Sequence, residues 1–578
     1  MTLGVADKQG DLFDDVSRFC SEALPERSVY SFLARERDRL FPDEAFADLF
    51  DEKKGRRSVP PSVVATVMVL QRLEGLSDRE AVERYSFDNR WRYAAGVGGY
   101  GGGGWATFAH TVLVDMRERL RHSEDPDRIF AAALDAAREA GLIGAKRALD
   151  STPLYDAVAT MDTVTLIRSS IRNLLKVADH ELADELLSAI TSGDTYESAA
   201  KPQIDWDDAS AREKLVDTRA KDAFGCLGVL HGRTLDPVVA AAGRLLATVV
   251  GQDLEEGDDK VLRIAHKVAP DRVISTVDPE ARHGHKTQAR SFDGYKGHVA
   301  VDPDSEIVTA TKVTPGNAGD ASVAEDLISD LLDDTSADPS DAPDGQAAEA
   351  GDEAVAPDLF DDTSTSTAAE TGDQPVDTDN EPVEAEPAEG ATVYGDNAYG
   401  TGPFQRRLED EGIDSRCKTQ TPHSTNGLFG KDRFDVDLQA DTVTCPAGVT
   451  VTLRRRADGG GIAKFASACA TCPLRDQCTT AKEGRSIVVG PNEEVLSRAR
   501  ARQQHSDWIT DYRATRPKVE RKIAHLMRRK HGGRRARVRG LRRVGDDFSL
   551  LAAAVNLARL GTLGVVSVPG GGWAVAGS

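Results

Sequence analysis

The sequence predicts an α/β fold: a mixed sheet with helical and Cys-rich insertions, preceded by an all-helical N-terminal domain. Three observations point there. Apolar residues recur at helical spacing up to about residue 125. Short β-patterned runs begin near Lys146 and return at 294–313 and 392–418, two of them ending in Asp. Between these runs lie segments of quite different composition, one acidic and one rich in cysteine.

The N-terminal region (1–125) is expected to be a DNA-binding or dimerisation domain. Pro60 and Pro61 can open a helix in which Val63, Val64, Val67, Leu70 and Leu73 keep helical spacing, and Gly75 closes it. Ser77 followed by Glu80 is a capping box for a second helix. Two helices on a short Gly turn resemble a helix-turn-helix, and an ordinary helical bundle carries the same signature. Lys53, Lys54, Arg56, Arg57, Arg79, Arg84, Arg90 and Arg92 surround the pair, with Trp91 and Tyr93 among them. The glycines from Gly98 to Gly104 lack the Lys-Ser/Thr of a phosphate loop and read as a connector.

Residues 146–332 are predicted to hold the first part of the catalytic sheet and a helical insertion. Arg147 to Asp150 is a short strand closed by Ser151-Thr152-Pro153, and helical character then persists to about Val250. Strands at 294–301 and 307–313, joined through Asp302–Ser305, form a hairpin, and Asp320 caps a helix carrying Val323, Ala324, Leu327, Ile328 and Leu331. Residues 333–391 read as an acidic, disordered insertion, too poor in apolar residues to offset ordering. Residues 392–420 return to the core: a strand ending at Asp396, a helix from Phe404 to Glu411 and a strand from Ile413 to Lys418. A Cys-rich insertion (421–490), a basic helical segment ending in an apolar helix from Phe548 to Leu560 (491–561), and a loose Gly-rich tail (562–578) complete the chain. This element order is compatible with an RNase H-like sheet.

The formal charge of −23 argues against a nucleic-acid partner until its distribution is read. Between Asp333 and Thr392 stand 19 acidic residues with no Lys or Arg, whereas Arg498 to Arg543 holds 17 Lys/Arg against three acids. A basic block of that density suits a phosphate surface. No apolar run reaches the roughly 20 residues of a membrane span, and the first residues lack a secretory pattern, so a cytoplasmic location is expected.

Two-metal phosphodiester chemistry needs a few carboxylates that leave Mg²⁺ room for water and phosphate. Asp150 and Asp396 stand at predicted strand ends, and Glu520 follows Tyr512 and Arg516 at four-residue helical steps. Read singly, a strand-end Asp is a turn former and Glu520 an internal salt-bridge partner. Cys445, Cys469, Cys472 and Cys478 can complete a structural Zn²⁺ site, disulfides being the rival reading. Cys20, Cys226 and Cys417 are expected to be structural, and His283 and His285 surface residues.

Taken together, these stretches resemble the DDE transposases of bacterial insertion sequences, in the branch with an InsH-like helical N-terminal domain. The resemblance rests on Gly75–Ala81 with Asp88–Trp91, Leu149–Thr152, Gly294–His298 with Val313–Asn317 and Asp320, Gly395–Tyr399, and Arg516–Glu520 with Arg537–Gly540. It implies that Asp150, Asp396 and Glu520 hold Mg²⁺ or Mn²⁺. It also implies that Tyr512 and Arg516 meet DNA near the cut, with Lys530, Arg537 and Arg539 as further contacts. The expected activity is cleavage at transposon ends and joining of the 3′-hydroxyl to target DNA by a homodimer. Tyr512 and Arg516 are one residue further apart than the family pattern, and Met527 stands where relatives carry Lys. A non-catalytic DNA-binding regulator or an inactive remnant is the alternative.

Overall fold

The computed structural model describes residues 1–6, 15–51, 55–98, 107–156, 160–257, 259–265, 269–287, 290–333, 390–422 and 427–576. Nearly all of the Gly98–Gly104 connector and of the acidic segment, for which disorder was expected, lies outside them.

Seven helices lead: α1 (Asp15–Ala23), α2 (Val29–Leu40), α3 (Pro61–Glu74), α4 (Asp78–Phe87), α5 (Asn89–Ala94), α6 (Thr111–His122) and α7 (Arg128–Glu139). The punctuation read from sequence is present. Pro61 opens α3, Gly75 closes it at φ 68°, and Ser77 and Glu80 form a reciprocal capping box on α4. The helix α3 is buried from Pro61 to Arg72, which leaves α4, with exposed Arg79, Arg84 and Phe87, as the outward member of the pair.

The chain then enters β1 (Lys146–Tyr155) and leaves into a helical insertion of α8 (Thr163–Val177), α9 (His180–Ser188), α10 (Ala209–Leu230), α11 (Pro237–Asp253) and the small hairpin β2 (Leu254–Glu256) and β3 (Leu262–Ile264). This insertion has its own core, centred on Leu166, Ile171, Leu174, Leu246 and Val249. The sheet resumes with β4 (Arg282–Thr287), β5 (Arg290–Val301) and β6 (Val308–Pro315). Two short helices follow, α12 (Ala324–Leu327) and α13 (Ser329–Asp333), after a 3₁₀ turn at Asp320–Val323. The single helix expected after Asp320 is thus broken into three turns, whose Val323, Ala324, Leu327, Ile328 and Leu331 still face one core. Next come β7 (Thr392–Gly395), α14 (Gly402–Asp410) and β8 (Asp414–Cys417).

In space the core strands run β6-β5-β1-β7-β8, with β4 sharing the outer edge of β5 beyond β6. The pairs β1·β5 and β5·β6 are antiparallel, and β1·β7 and β7·β8 parallel. That is an RNase H-like mixed sheet. One expectation is corrected here: β1 does not stop at Asp150 but continues to Tyr155, because β5 stays in register with it as far as Gly294.

The Cys-rich segment forms two small sheets: β9 (Asp435–Asp437), β10 (Thr442–Thr444) and β11 (Thr450–Thr452), then β12 (Arg454–Arg455), β13 (Gly461–Lys464) and β14 (Ser486–Val489), with the turn of helix α15 (Arg475–Cys478) between the last two strands. Phe434, Val443, Phe465, Ile487 and Val489 fill the space between them. The helices α16 (Glu493–Arg502), α17 (Ser506–Leu526) and α18 (Leu541–Leu563) follow.

The helix α18 holds the molecule together. One side packs on α2, α3 and α7, and another on β6. Gly297 makes this approach possible, since a Cβ there would stand 2.8 Å from the Phe548 ring. Buried Asn556 behaves like a strand: its Oδ1 accepts from the Val308 N–H at 2.9 Å and its Nδ2 donates to the Val308 carbonyl at 2.7 Å. This satisfies β6 where its pairing with β5 shifts register. Over residues 562–576 the tail is not loose. After Gly564, β15 (Val565–Ser567) and β16 (Trp573–Val575) form a hairpin that buries Trp573 near α7. Among the described residues no helix is long and apolar enough to cross a membrane.

Candidate active site

The position of Asp150 follows from how the two neighbours of β1 end. The parallel pairing of β7 with β1 covers Lys146 to Ala148 and goes no further, so Asp150 emerges just past it, still held on the other side by Val299 of β5. Asp396 is the first residue after β7 and accepts from the Ala398 N–H at 3.0 Å, a turn that fixes its carboxylate at the sheet's rim. Glu520 comes from α17, which lies against β1 and β7. Trp508 and Tyr512 stack on this helix with centroids 4.9 Å apart, Trp508 Nε1 reaches the Ser415 carbonyl at 3.5 Å, and Tyr394 donates to Asp511 at 2.9 Å. The helix is thereby locked in rotation.

The three acids meet around one guanidinium. Arg516 Nη2 stands 2.9 Å from Asp150 Oδ1 and 3.9 Å from Asp396 Oδ2, and Nε stands 3.5 Å from Glu520 Oε1. Nη1 donates to the buried Leu149 carbonyl at 2.7 Å. Side-chain exposure rises outward, from 15% at Asp150 through 44% at Asp396 to 62% at Glu520. Burial lifts the Asp150 carboxyl above its ordinary range, with Arg516 and the Ser151 N–H pulling it partly back. Burial also works against the Arg516 charge, but Asp150, Tyr512 and Asp396 outweigh it and raise that group.

Two adjoining hollows, of about 550 and 380 Å³, share Asp150, Ser151, Lys286, Phe292 and Asp396 as walls. The larger adds Arg290, Arg516, Glu520 and Arg534, and the smaller adds Lys296 and Asp320. The site is an acidic floor with a basic rim, suited to metal ions below and phosphate above. Among the described residues no three acids or thiols form a ready coordination shell. At the floor, the carboxylates instead surround a cation supplied by the chain itself, and that donor set of oxygens fits hard divalent ions.

Asp320, Lys286, Arg290 and Arg534 were not singled out as site residues from sequence. Asp320 belonged to a quoted motif, and in the fold it accepts from Ser151 Oγ at 2.6 Å and pairs with Lys296 at 2.9 Å. Lys286 and Arg290 lie at the β4–β5 turn, where no periodicity marks them. Behind them, His298 is enclosed between Thr314 Oγ1 at 2.9 Å and Tyr399 OH at 3.3 Å. Burial pushes its imidazole down to about 4, with Asp320 opposing and Lys296 adding to the effect.

The basic block divides in two. Arg498 and Arg502 pair with Glu409, Arg500 with Glu493, Lys518 with Asp304 and Arg521 with Glu306, while Lys522 is buried. These charges pair within the chain, Arg498 and Arg521 at its surface, so the block is not a run of unpaired cations throughout. Arg528, Arg529, Lys530, Arg534, Arg535, Arg537 and Arg539 are exposed beyond the end of α17. Tyr512 and Arg516 face inward, and Met527 is buried at the cleft wall.

Cys445, Cys469, Cys472 and Cys478 surround one cavity of about 20 Å³, and none forms a disulfide. The Arg485 N–H donates to Cys469 Sγ at 3.4 Å. Burial raises the Cys478 thiol, Arg485 opposes this, and the three other cysteines add to it. Cys20, Cys226 and Cys417 are buried apart from one another, and His283 and His285 are exposed on β4. A separate cavity of about 330 Å³ between α3, α6, α7 and α18 neutralises its own charges, Arg117 with Asp78, Arg121 with Asp546 and Arg72 with Asp547.

Asp150 on β1, Asp396 just past β7 and Glu520 on α17 thus share one cleft of an RNase H-like sheet. Family comparisons add to this. One model described as a transposase DDE domain matches residues 258–340, a second of the same description matches 444–561, and a transposase domain (DUF772) matches 19–119. The chain belongs to the DDE-type transposases of insertion sequences. Glu520 falls within a matched segment, whereas Asp150 and Asp396 lie between them. Neither a curated protein nor a solved structure gives a match.

Proposed function

We propose that this transposase hydrolyses the phosphodiester at its transposon ends and transfers the freed 3′-hydroxyl into target DNA, using Asp150, Asp396 and Glu520 as its metal-holding residues. The observation that carries this reading is the meeting of those three side chains, from β1, the end of β7 and α17, around the single Arg516 guanidinium. Mg²⁺ or Mn²⁺, when bound, would activate the attacking oxygen and stabilise the leaving one. The chain's own residues do the rest. Asp150 is fixed by the Ser151 N–H at 2.8 Å, and Asp396 by its turn, so neither needs to reorganise far. Lys286, Arg290 and Arg534 line the rim where a phosphate backbone would run, and the exposed arginines from Arg528 to Arg539 with Lys530 extend that track. Two ends must be brought together, so a homodimer is part of the proposal.

Purified protein and Mg²⁺ on duplex DNA carrying the element's ends test the reading. Asp396→Asn and Glu520→Gln should each lower strand scission by at least about 10²–10³-fold, the scale of losing one preorganised charge-stabilising group, with unchanged melting temperature. Unaltered scission in Asp396→Asn would remove the metal-site assignment. DNA binding by the wild-type chain without any scission would identify a regulator or remnant instead.

For the four clustered thiols we propose structural zinc, supported by the cavity they line in common. Elemental analysis should find one zinc per chain, lost on Cys469→Ser with Cys472→Ser; a metal-free, fully folded chain would rule it out.

A further inference from the structure

We propose that Arg516 is the resident cation of this site: its guanidinium stands between the carboxylates that would hold the metal ions, and it therefore sets how tightly those ions bind. The inference rests on the metal-holding reading above and deepens it.

The geometry differs from that of an ordinary ion pair. One planar cation faces three acids from three separate elements, through two of its nitrogens, while the third is anchored on the Leu149 carbonyl. The three carboxylates gathered around this one guanidinium repel one another. The guanidinium between them offsets that repulsion, and arginine is the side chain that cannot lose its charge. The anchor is at the buried end of the group, and the two nitrogens facing the acids are toward the cleft, where Glu520 is most exposed. Metal ions held by the same acids would compete with those two contacts, while the Leu149 hydrogen bond could persist.

Two consequences follow. Metal binding to the free protein is weakened by competition with Arg516, compared with the same three acids alone. A DNA phosphate in the cleft offers the guanidinium another anion, so DNA and metal bind with mutual reinforcement, each raising the affinity for the other by the same factor.

The test is a calorimetric Mn²⁺ titration of the full-length protein without DNA, alongside thermal unfolding with and without Mn²⁺. Arg516→Gln should bind Mn²⁺ about tenfold more tightly than wild type, the scale of one charged hydrogen bond no longer competing. It should also melt lower without metal and gain more from Mn²⁺ than wild type does. Arg516→Lys, whose point charge cannot face three acids at once, should bind with intermediate affinity and serves if the Gln variant does not fold. Wild-type binding of Mn²⁺ with equal or weaker binding in the variants overturns the resident-cation role and leaves the nuclease reading standing. No Mn²⁺ uptake by wild type or either variant overturns both.

Discussion

Asp150 owes its access to the cleft to a mismatch between its two neighbouring strands: β5 runs on past it while β7 stops short. A carboxylate in mid-strand would ordinarily be masked by a partner on each side. Here one partner is missing, and the side chain faces a cleft while its backbone stays fully held. His298 makes a second residue-scale case. Held neutral at about 4 by burial, it lies below the ~6.5 of an unfolded imidazole. The unfolded chain therefore takes up a proton that the native state refuses, and stability present above ~6.5 is lost as pH falls towards about 4. The charged and titratable groups around it are Lys296 on its own strand, Asp320 beyond β6 and Tyr399 after β7. Chemical denaturation of His298→Gln across this window should show a flatter decline than wild type, by up to about 3 kcal/mol at the acid end. His525 and His531, also held down by burial, titrate in both proteins and cancel in the comparison. Parallel declines would mean that His298 carries no such linkage.

At the scale of elements, the sequence was most legible where one residue dictates local geometry. Pro61, Gly75, Ser77 and Glu80 mark the α3–α4 pair unaided, and the hairpin of β5 and β6 follows from its alternation and turn. Motif order brings Asp150, Asp396 and Glu520 forward together, and in the fold they meet around Arg516. What the sequence hid depends on partners far along the chain. Nothing local says that β1 continues through Pro153, since this depends on pairing with residues over 140 positions later. Nor does a run of arginines reveal which of them will meet Glu409, Glu493 or Glu306. Asn556 is another such case: in sequence it is a lone amide in an apolar helix, and in the fold it completes the edge of β6. Asn556→Leu should cost about 2–4 kcal/mol, since two buried backbone groups of Val308 lose their partner. Urea titration checks this, and a change under ~0.5 kcal/mol would show that the clamp is dispensable.

For the whole molecule, the decisive element is α18, a C-terminal helix that completes the N-terminal domain. Arg72 of α3 is buried, its Nε donating to the Asp547 carbonyl at 3.3 Å and its Nη2 paired with the Asp547 carboxylate at 3.1 Å. Residues 1–140 expressed alone should leave the faces of α2, α3 and α7 that meet α18 uncovered. Such a fragment should aggregate or bind a hydrophobic dye, and adding residues 541–576 in trans should improve its solubility. A monomeric, cooperatively melting fragment would contradict this dependence.

The contact between Arg72 and Asp547 spans 475 positions. At bacterial elongation speeds of about 5–20 residues per second, the first helices leave the ribosome on the order of 20–100 s before their final neighbour does. During that interval the nascent chain carries an unfinished interior, the faces of α2, α3 and α7 that α18 will cover. A message cut short upstream of α18 would then yield chains destined for proteolysis rather than half-proteins that occupy DNA and block the intact enzyme.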